Sequence, residues 1–300
     1  MQNISSQNSV DSIDKAIAKH SEQAAENAIG QILIRQQKLN PRDLSRTLAY
    51  AERKRLRFGD SAVKLGLISR QDLEHAVAAQ FDYPYLETGA EGYSSKLVTA
   101  FEPFGTKGTA LRVLQGRLIQ QWFAHDHRTL AVVGPSGNDG CSYIAANLAI
   151  AFSQQGKDTV LIDANLRKPS LHRLFNRPNT VGLSSALVGR VAIEEVTSPL
   201  PLFRSLSLIT AGITPPNVYD LFWRPEFTNI VAALRERYSV VLFDAPPYRA
   251  QLGSENLAHH AGGALLVIRK NHTRGLDAQA LSDAIQNTGA QVVGTVMNRF

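Results

Sequence analysis

The sequence predicts a doubly wound α/β domain with a mostly parallel sheet, preceded by a small helical domain. Three observations predict it. After Leu111, short apolar runs recur: TLAVV, TVLID, LSLIT, SVVLFD, ALLVI and QVVGTVM. They lack the regular polar–apolar alternation of a strand with one wet face, so each reads as a strand buried on both sides. Segments of helical period separate them, among them SYIAANLAIAFSQQ, EFTNIVAALRERY and LDAQALSDAIQNTG. Strand alternating with helix builds a parallel sheet covered by helices. Ahead of this region stands an internal repeat whose two copies each read as helix, turn and helix.

In chain order, residues 1–25 are polar and read as a loose arm. Residues 26–85 hold the repeat. IGQILIRQQKLNPRDLSRTLAYA begins at Ile29 and FGDSAVKLGLISRQDLEHAVAAQ at Phe58. This offset pairs Gly30 with Gly59, Leu39 with Ile68, Asn40 with Ser69, Asp43 with Asp72 and Leu44 with Leu73. Asn40 and Ser69 are natural helix N-caps, and the aspartates fall in the first turn, where the helix dipole favours negative charge. Two such units can bury one another's apolar faces. Residues 86–104 loosen in composition and read as a linker. Residues 105–300 then form the α/β domain, opening on the helical stretch LRVLQGRLIQQWF.

Composition limits the function classes. With 44% hydrophobic and 19% charged residues over 300 positions, the chain can bury a sizeable core, which excludes wholesale disorder. The net charge of +6 favours anionic partners such as nucleotides, and no nucleic-acid partner is expected. A single cysteine excludes an internal disulfide framework and fits a reducing cytoplasm. The opening MQNISSQNSVDSIDK lacks the apolar core of a secretory signal. No apolar run reaches the roughly 18–20 residues that cross a bilayer. A soluble, cytoplasmic chain is expected.

Ligands of doubly wound domains sit beyond the carboxyl ends of the strands, so three strand ends carry the weight. At the first, AVVGPSGNDGCSYIAANLAIAF runs from strand through a glycine-rich turn into a helix. Backbone N–H groups of Gly137, Asn138, Asp139, Gly140, Cys141 and Ser142, with the helix dipole behind them, could cradle a phosphate. Ser142 would offer its hydroxyl to magnesium. A tight strand-to-helix turn with no ligand is the competing reading. At the second strand end Asp163 and Asn165 follow TVLI, and at the third Asp244 closes VVLFD before two prolines. A carboxylate there is costly unless it holds a cation or a hydrogen-bonded partner.

From Leu111 to Phe300 the sequence resembles the bacterial tyrosine kinases of exopolysaccharide and capsule synthesis, P-loop proteins related to the partitioning and division-site ATPases. The segments GCSYIAANLAIAFSQQGKDTVLIDANLRKPSLHRLF, NTVGLSSALVGR, LITAGITPPN, FDAPP, GGALLVIRKNHTR and VVGTVMNRF follow the family's course in order. LRKPSLHRLF and GITPPN argue against a partitioning-type ATPase. The resemblance implies a Walker A loop at Gly134–Ser142, a second acidic motif at Asp163–Arg167 and a Walker B carboxylate at Asp244. Asp163 and Asp244 would then be catalytic, and Ser142, Asp163 and Asp244 would hold Mg2+. Asn298 and Arg299 would flank the adenine of ATP or ADP, with Tyr143 and Arg269 completing the nucleotide site. The implied partner is a membrane polysaccharide co-polymerase of the chain-length-determinant type, which would bring the protein to the inner face of the membrane.

Four departures stand out. Cys141 replaces the Walker lysine, and Asn165 replaces the second aspartate of the Asp-x-Asp motif. The oligomer-forming helix motif reads Thr109, Arg112, Gln115, which weakens the contacts of a homo-oligomer. No Tyr follows Tyr248, so the family's tyrosine-rich tail is missing and any phosphate would go to a partner or to an isolated residue such as Tyr83, Tyr85 or Tyr93. Losing the lysine removes a charged hydrogen bond of about 1.5–3 kcal/mol. The expectation is a regulator of exopolysaccharide synthesis, export or chain length that binds nucleotide weakly; a pseudokinase scaffold is the alternative. Cys141 reads first as a neutral small residue in a turn and second as a redox switch, since a helix N-terminus lowers a thiol's pKa.

The repeat resembles the N-terminal domain of type II secretion and type IV pilus assembly ATPases, some of which bind cyclic di-GMP. Arg57, Phe58, Gly59, Val63, Gly66, Leu67, Ile68, Leu73 and Gln80 follow that motif in the second copy. In the first copy Ala28, Gln37 and Ala51 replace its Arg, second Gly and Gln. Half a site is present, so a protein-docking module is the first expectation and cyclic di-GMP the second.

Overall fold

The computed structural model describes residues 29–81, 83–86, 92–249 and 253–299. The polar arm expected over residues 1–25 lies outside them. The chain divides into two compact units between Pro84 and Tyr85.

The first unit is helical: α1 (residues 29–35), α2 (Pro41–Lys54), α3 (Phe58–Lys64) and α4 (Arg70–Gln80). Both expected caps form. Asn40 Oδ1 accepts from the Asp43 amide at 2.8 Å. Ser69 Oγ accepts from the Asp72 amide, and the Asp72 carboxylate accepts in turn from the Ser69 amide, a reciprocal capping box. The repeat extends to backbone detail. Gly30 lies against Leu44 and Gly59 against Leu73, so a side chain at either glycine would strike the equivalent leucine. Gly66 turns at φ +68 after α3, and Gln37 makes the matching turn at φ +56 with a side chain to accommodate. Leu33, Leu39, Phe58, Ala62, Ile68 and Ala76 form the core of this unit.

The second unit begins with α5 (Val98–Phe101) and α6 (Thr106–Gln121). Then come β1 (Thr129–Val133), α7 (Cys141–Gln154), β2 (Thr159–Asp163), α8 (Leu171–Leu174), α9 (Leu183–Leu187), β3 (Thr197–Pro199) and β4 (Leu206–Ile209). The rest is α10 (Val218–Leu221), α11 (Pro225–Arg237), β5 (Val240–Asp244), α12 (Ser254–Ala261), β6 (Gly263–Arg269), α13 (Gly275–Asn287) and β7 (Gln291–Asn298). Among the described residues the strands make one sheet in the order β3-β4-β2-β5-β1-β6-β7, parallel except for the β3–β4 pair. β1, β2, β4 and β5 are buried throughout, as their unalternating apolar runs require. Successive side chains point to opposite faces. Val133, Ile162 and Phe243 join one core with Phe227 of α11, while Val132, Leu161 and Leu242 join the other with Phe152 of α7.

The linker expected over residues 86–104 is described at 86 and 92–104. Its described residues belong to the α/β unit. Leu97 and Ala100 are fully buried, the Leu86 amide donates to the Ala100 carbonyl, and Ser94 donates to Leu174. Buried Asn147 of α7 fixes the segment: its Oδ1 accepts from the Thr99 amide and its Nδ2 donates to the Lys96 carbonyl. The helix motif also departs from an oligomer surface. Gln115 is buried, with Nε2 donating to the Ala151 carbonyl at 3.0 Å, and Arg112 covers the ring of Phe104.

Candidate functional site

The sheet order decides which strand ends meet. β5 lies between β2 and β1, so the loop after β1 and the carboxyl ends of β2 and β5 converge. Asp163 and Asp244 are direct cross-strand partners in parallel register. The two predicted catalytic carboxylates are therefore side by side, and both are fully buried.

Their surroundings differ. Asp163 accepts from the amides of Ser170 and Leu171, each at 2.9 Å, and from that of Asn165 at 3.3 Å. Burial still pushes its carboxyl up to about 6, with the amide bonds opposing. Asp244 is held well above the carboxylate range by burial first and by the charge of Asp163 second. Ser142 lies near enough to favour its charged form, yet neither carboxylate oxygen has a partner at hydrogen-bond geometry. A fully buried, unpartnered carboxylate beside a second one calls for a cation. Among the described residues no group of three or more His, Cys, Asp or Glu side chains is arranged to hold a metal alone. Magnesium would therefore need oxygens from elsewhere, as it does where phosphates complete its shell.

The loop itself leaves β1 at Gly134. A Cβ there would lie 2.6 Å from Cys141 Sγ and 3.1 Å from the Val267 carbonyl, so only glycine fits. Asn138 and Gly140 take φ of +67 and +101, and α7 begins at Cys141 with its first amides aimed at the loop. Asp139 turns inward and is fully buried. Its Oδ2 accepts from the Ser136 amide and its Oδ1 from the Thr273 hydroxyl, both at 2.7 Å. Arg269 Nη1 donates to the Asn138 carbonyl at 3.5 Å, and Asn298 Nδ2 to the Asp139 carbonyl at 3.2 Å. The sequence names Asp139, Arg269 and Asn298 as ligand contacts; in the structure their side chains hold the loop. Thr273 was missed. It stands in the loop after β6, and no local pattern marks a bond made 134 residues away.

Cys141 is corrected on one point. Burial raises its thiol well above the usual range, and the charges of Asp244 and Asp139 add to this, so the redox reading loses its lowered pKa. Tyr143 and Asn298 lie beside a cavity of about 280 Å³, which Lys107, Leu111, Leu114 and Arg299 also line. All the predicted nucleotide residues thus fall at one end of the sheet.

Tyrosine-protein kinase YwqD of Bacillus subtilis (strain 168) is 34% identical over 174 residues, covering 57% of this chain and 72% of that protein. The chain belongs to the bacterial tyrosine-protein kinases. A putative tyrosine-protein kinase in the cps region of Klebsiella pneumoniae is 31% identical over 189 residues, and there the match spans 26% of the relative's length. Among solved structures, the chimerical protein CapA2B2 aligns with a TM-score of 0.64 and 28% identity, covering 76% of this chain and 99% of that one. No protein-family model matches. The fold of this tyrosine-kinase-like P-loop protein is that of its structural relatives.

Proposed function

We propose that this kinase-like protein binds a magnesium–nucleotide complex, ATP or ADP, at the Gly134–Ser142 loop and acts in exopolysaccharide synthesis, export or chain-length control. The observation that supports nucleotide binding is the Asp163–Asp244 pair, buried beside the loop with Asp244 unpartnered. Ser142, Asp163 and Asp244 would hold the metal. Bound there, Mg2+ would offset the charge of the phosphate oxygens. The amides from Gly137 to Ser142 would donate to those oxygens, and Tyr143, Asn298 and Arg299 would border the base. With Cys141 neutral, the chain lacks the cation that neutralises developing charge, so phosphoryl transfer to tyrosine would be slow.

The polysaccharide part of this reading rests on likeness, including the relative encoded in a cps region. Its partner would be a membrane co-polymerase that carries the protein to the inner membrane face, with self-association as a further contact. Among the described residues no helix is long and apolar enough to cross a membrane. The N-terminal unit would serve as a docking module, with cyclic di-GMP as the ligand its Arg57–Gln80 motif would take. Calorimetric titration of the full chain with ATP and MgCl2 tests the core of the reading. Weak saturable heat is expected; no heat and no thermal shift at millimolar nucleotide would sink it.

A further inference from the structure

The phosphate loop is tied down from a direction its own sequence does not reveal. Asp139 sits inside it with both carboxylate oxygens engaged, one by the Ser136 amide and one by the Thr273 hydroxyl, each at 2.7 Å. Thr273 is itself fixed, because its Oγ1 accepts from the Arg269 amide at 2.8 Å. The bonds therefore run in series from the end of β6, through the Thr273 hydroxyl and the Asp139 carboxylate, to the amide of Ser136. Asn298, at the end of β7, adds a brace at the Asp139 carbonyl. We infer that Asp139 and Thr273 form a latch that holds the loop in its phosphate-accepting shape before any ligand arrives, and that Thr273 is thereby a positioning residue for nucleotide binding.

The physical case turns on what the loop lacks. A lysine would draw the loop and the phosphates together through its own charge. Here Cys141 offers no such pull, so the cost of ordering the loop falls on binding unless it is met beforehand. Two residues of the loop, Asn138 and Gly140, have positive φ, a shape that an untethered chain would leave readily. Asp139 supplies the tether from within, and it needs a donor on the far side to remain buried. Thr273 is that donor. The segment after β6 thus sets the loop's shape, although it contributes no atom to the phosphate cradle.

This inference rests on the nucleotide reading above for its consequence but not for its test. Thr273→Val keeps the shape of the side chain and removes the hydroxyl, whereas Thr273→Ser restores it. Hydrogen–deuterium exchange of the nucleotide-free full chain is compared over residues 134–143, with circular dichroism confirming that each variant is folded. Thr273→Val should raise exchange at Ser136 and its neighbours at least tenfold, with Thr273→Ser within about twofold of the parent. Mg–ADP affinity measured on the same samples should fall about tenfold in Thr273→Val and recover in Thr273→Ser. Exchange over the loop that is unchanged in Thr273→Val overturns the latch, whatever the nucleotide result. If the parent binds no Mg–ADP, the nucleotide reading fails and the exchange comparison alone decides the latch.

Discussion

Asp244 sets the residue-scale chemistry. Its carboxylate is fully buried without a partner, and Asp163 stands next to it on β2. Replacing it with Asn removes a carboxyl group whose ionisation burial and Asp163 oppose. Asp244→Asn keeps the shape and removes the ionisation that the fold opposes, so it should stabilise the nucleotide-free protein at neutral pH, and it should abolish magnesium-dependent nucleotide binding. Thermal denaturation with and without Mg–ADP measures both; a loss of stability would mean that Asp244 is satisfied in solution. Cys141 supports the opposite experiment. The charges of Asp244 and Asp139 act on its thiol and would favour an ammonium in its place. Cys141→Lys combined with Asn165→Asp should tighten nucleotide binding by roughly tenfold to a hundredfold, each single change doing less because both act on one phosphate group. Calorimetry on the three variants decides it, and no gain from the pair would show that the loop's shape cannot use a lysine.

At the scale of elements, the N-terminal repeat offers an internal control. Gln37 and Gly66 make the same left-handed turn, but only one of them is a glycine. Gln37→Gly should therefore stabilise the protein by about 1 kcal/mol, while Ser69→Ala, which removes half a capping box, should cost about 1 kcal/mol. Chemical denaturation midpoints test both, and an unstable Gln37→Gly would show that its side chain holds the turn. The elements also show what was legible beforehand. Unbroken apolar runs announced the buried parallel strands, and Asn40 and Ser69 announced their helices, because each signal is local. The glycine-rich turn after β1 and the aspartates that close β2 and β5 were legible for the same reason. In the stretch read as a linker, the described residues Ser94, Lys96 and Thr99 are anchored by Leu174 and Asn147, distant in sequence, which composition does not show. The burial of Gln115 was not legible either, because its partner, the Ala151 carbonyl, is 36 residues away. Thr273 lay beyond reach for the same cause.

For the whole molecule, the buried carboxylates link stability to pH. Asp163 titrates near 6 in the fold against 3.8 as its ordinary value, and Asp244 is shifted in the same direction. Between those values the folded chain holds protons that the unfolded chain has released, so stability must fall as pH rises through about 6. The nucleotide-free protein should thus melt at a higher temperature at pH 5 than at pH 7.5 so far as this pair decides it, and Asp244→Asn should flatten that slope. Mg–ADP should bind more weakly at the lower pH, where the carboxylates are protonated. Melting temperatures across pH for parent and variant test the linkage, and parallel slopes would remove it. The sheet order has a consequence for biosynthesis. β1 and β2 leave the ribosome first but are not neighbours; β5, made far later, fills the gap between them and pairs with both. Until then each presents an open edge, a template for wrong pairing. Asp163 and Asp244 do not meet before that insertion, so the nascent chain joins the two halves of its sheet and brings its two buried carboxyl groups together in the same step.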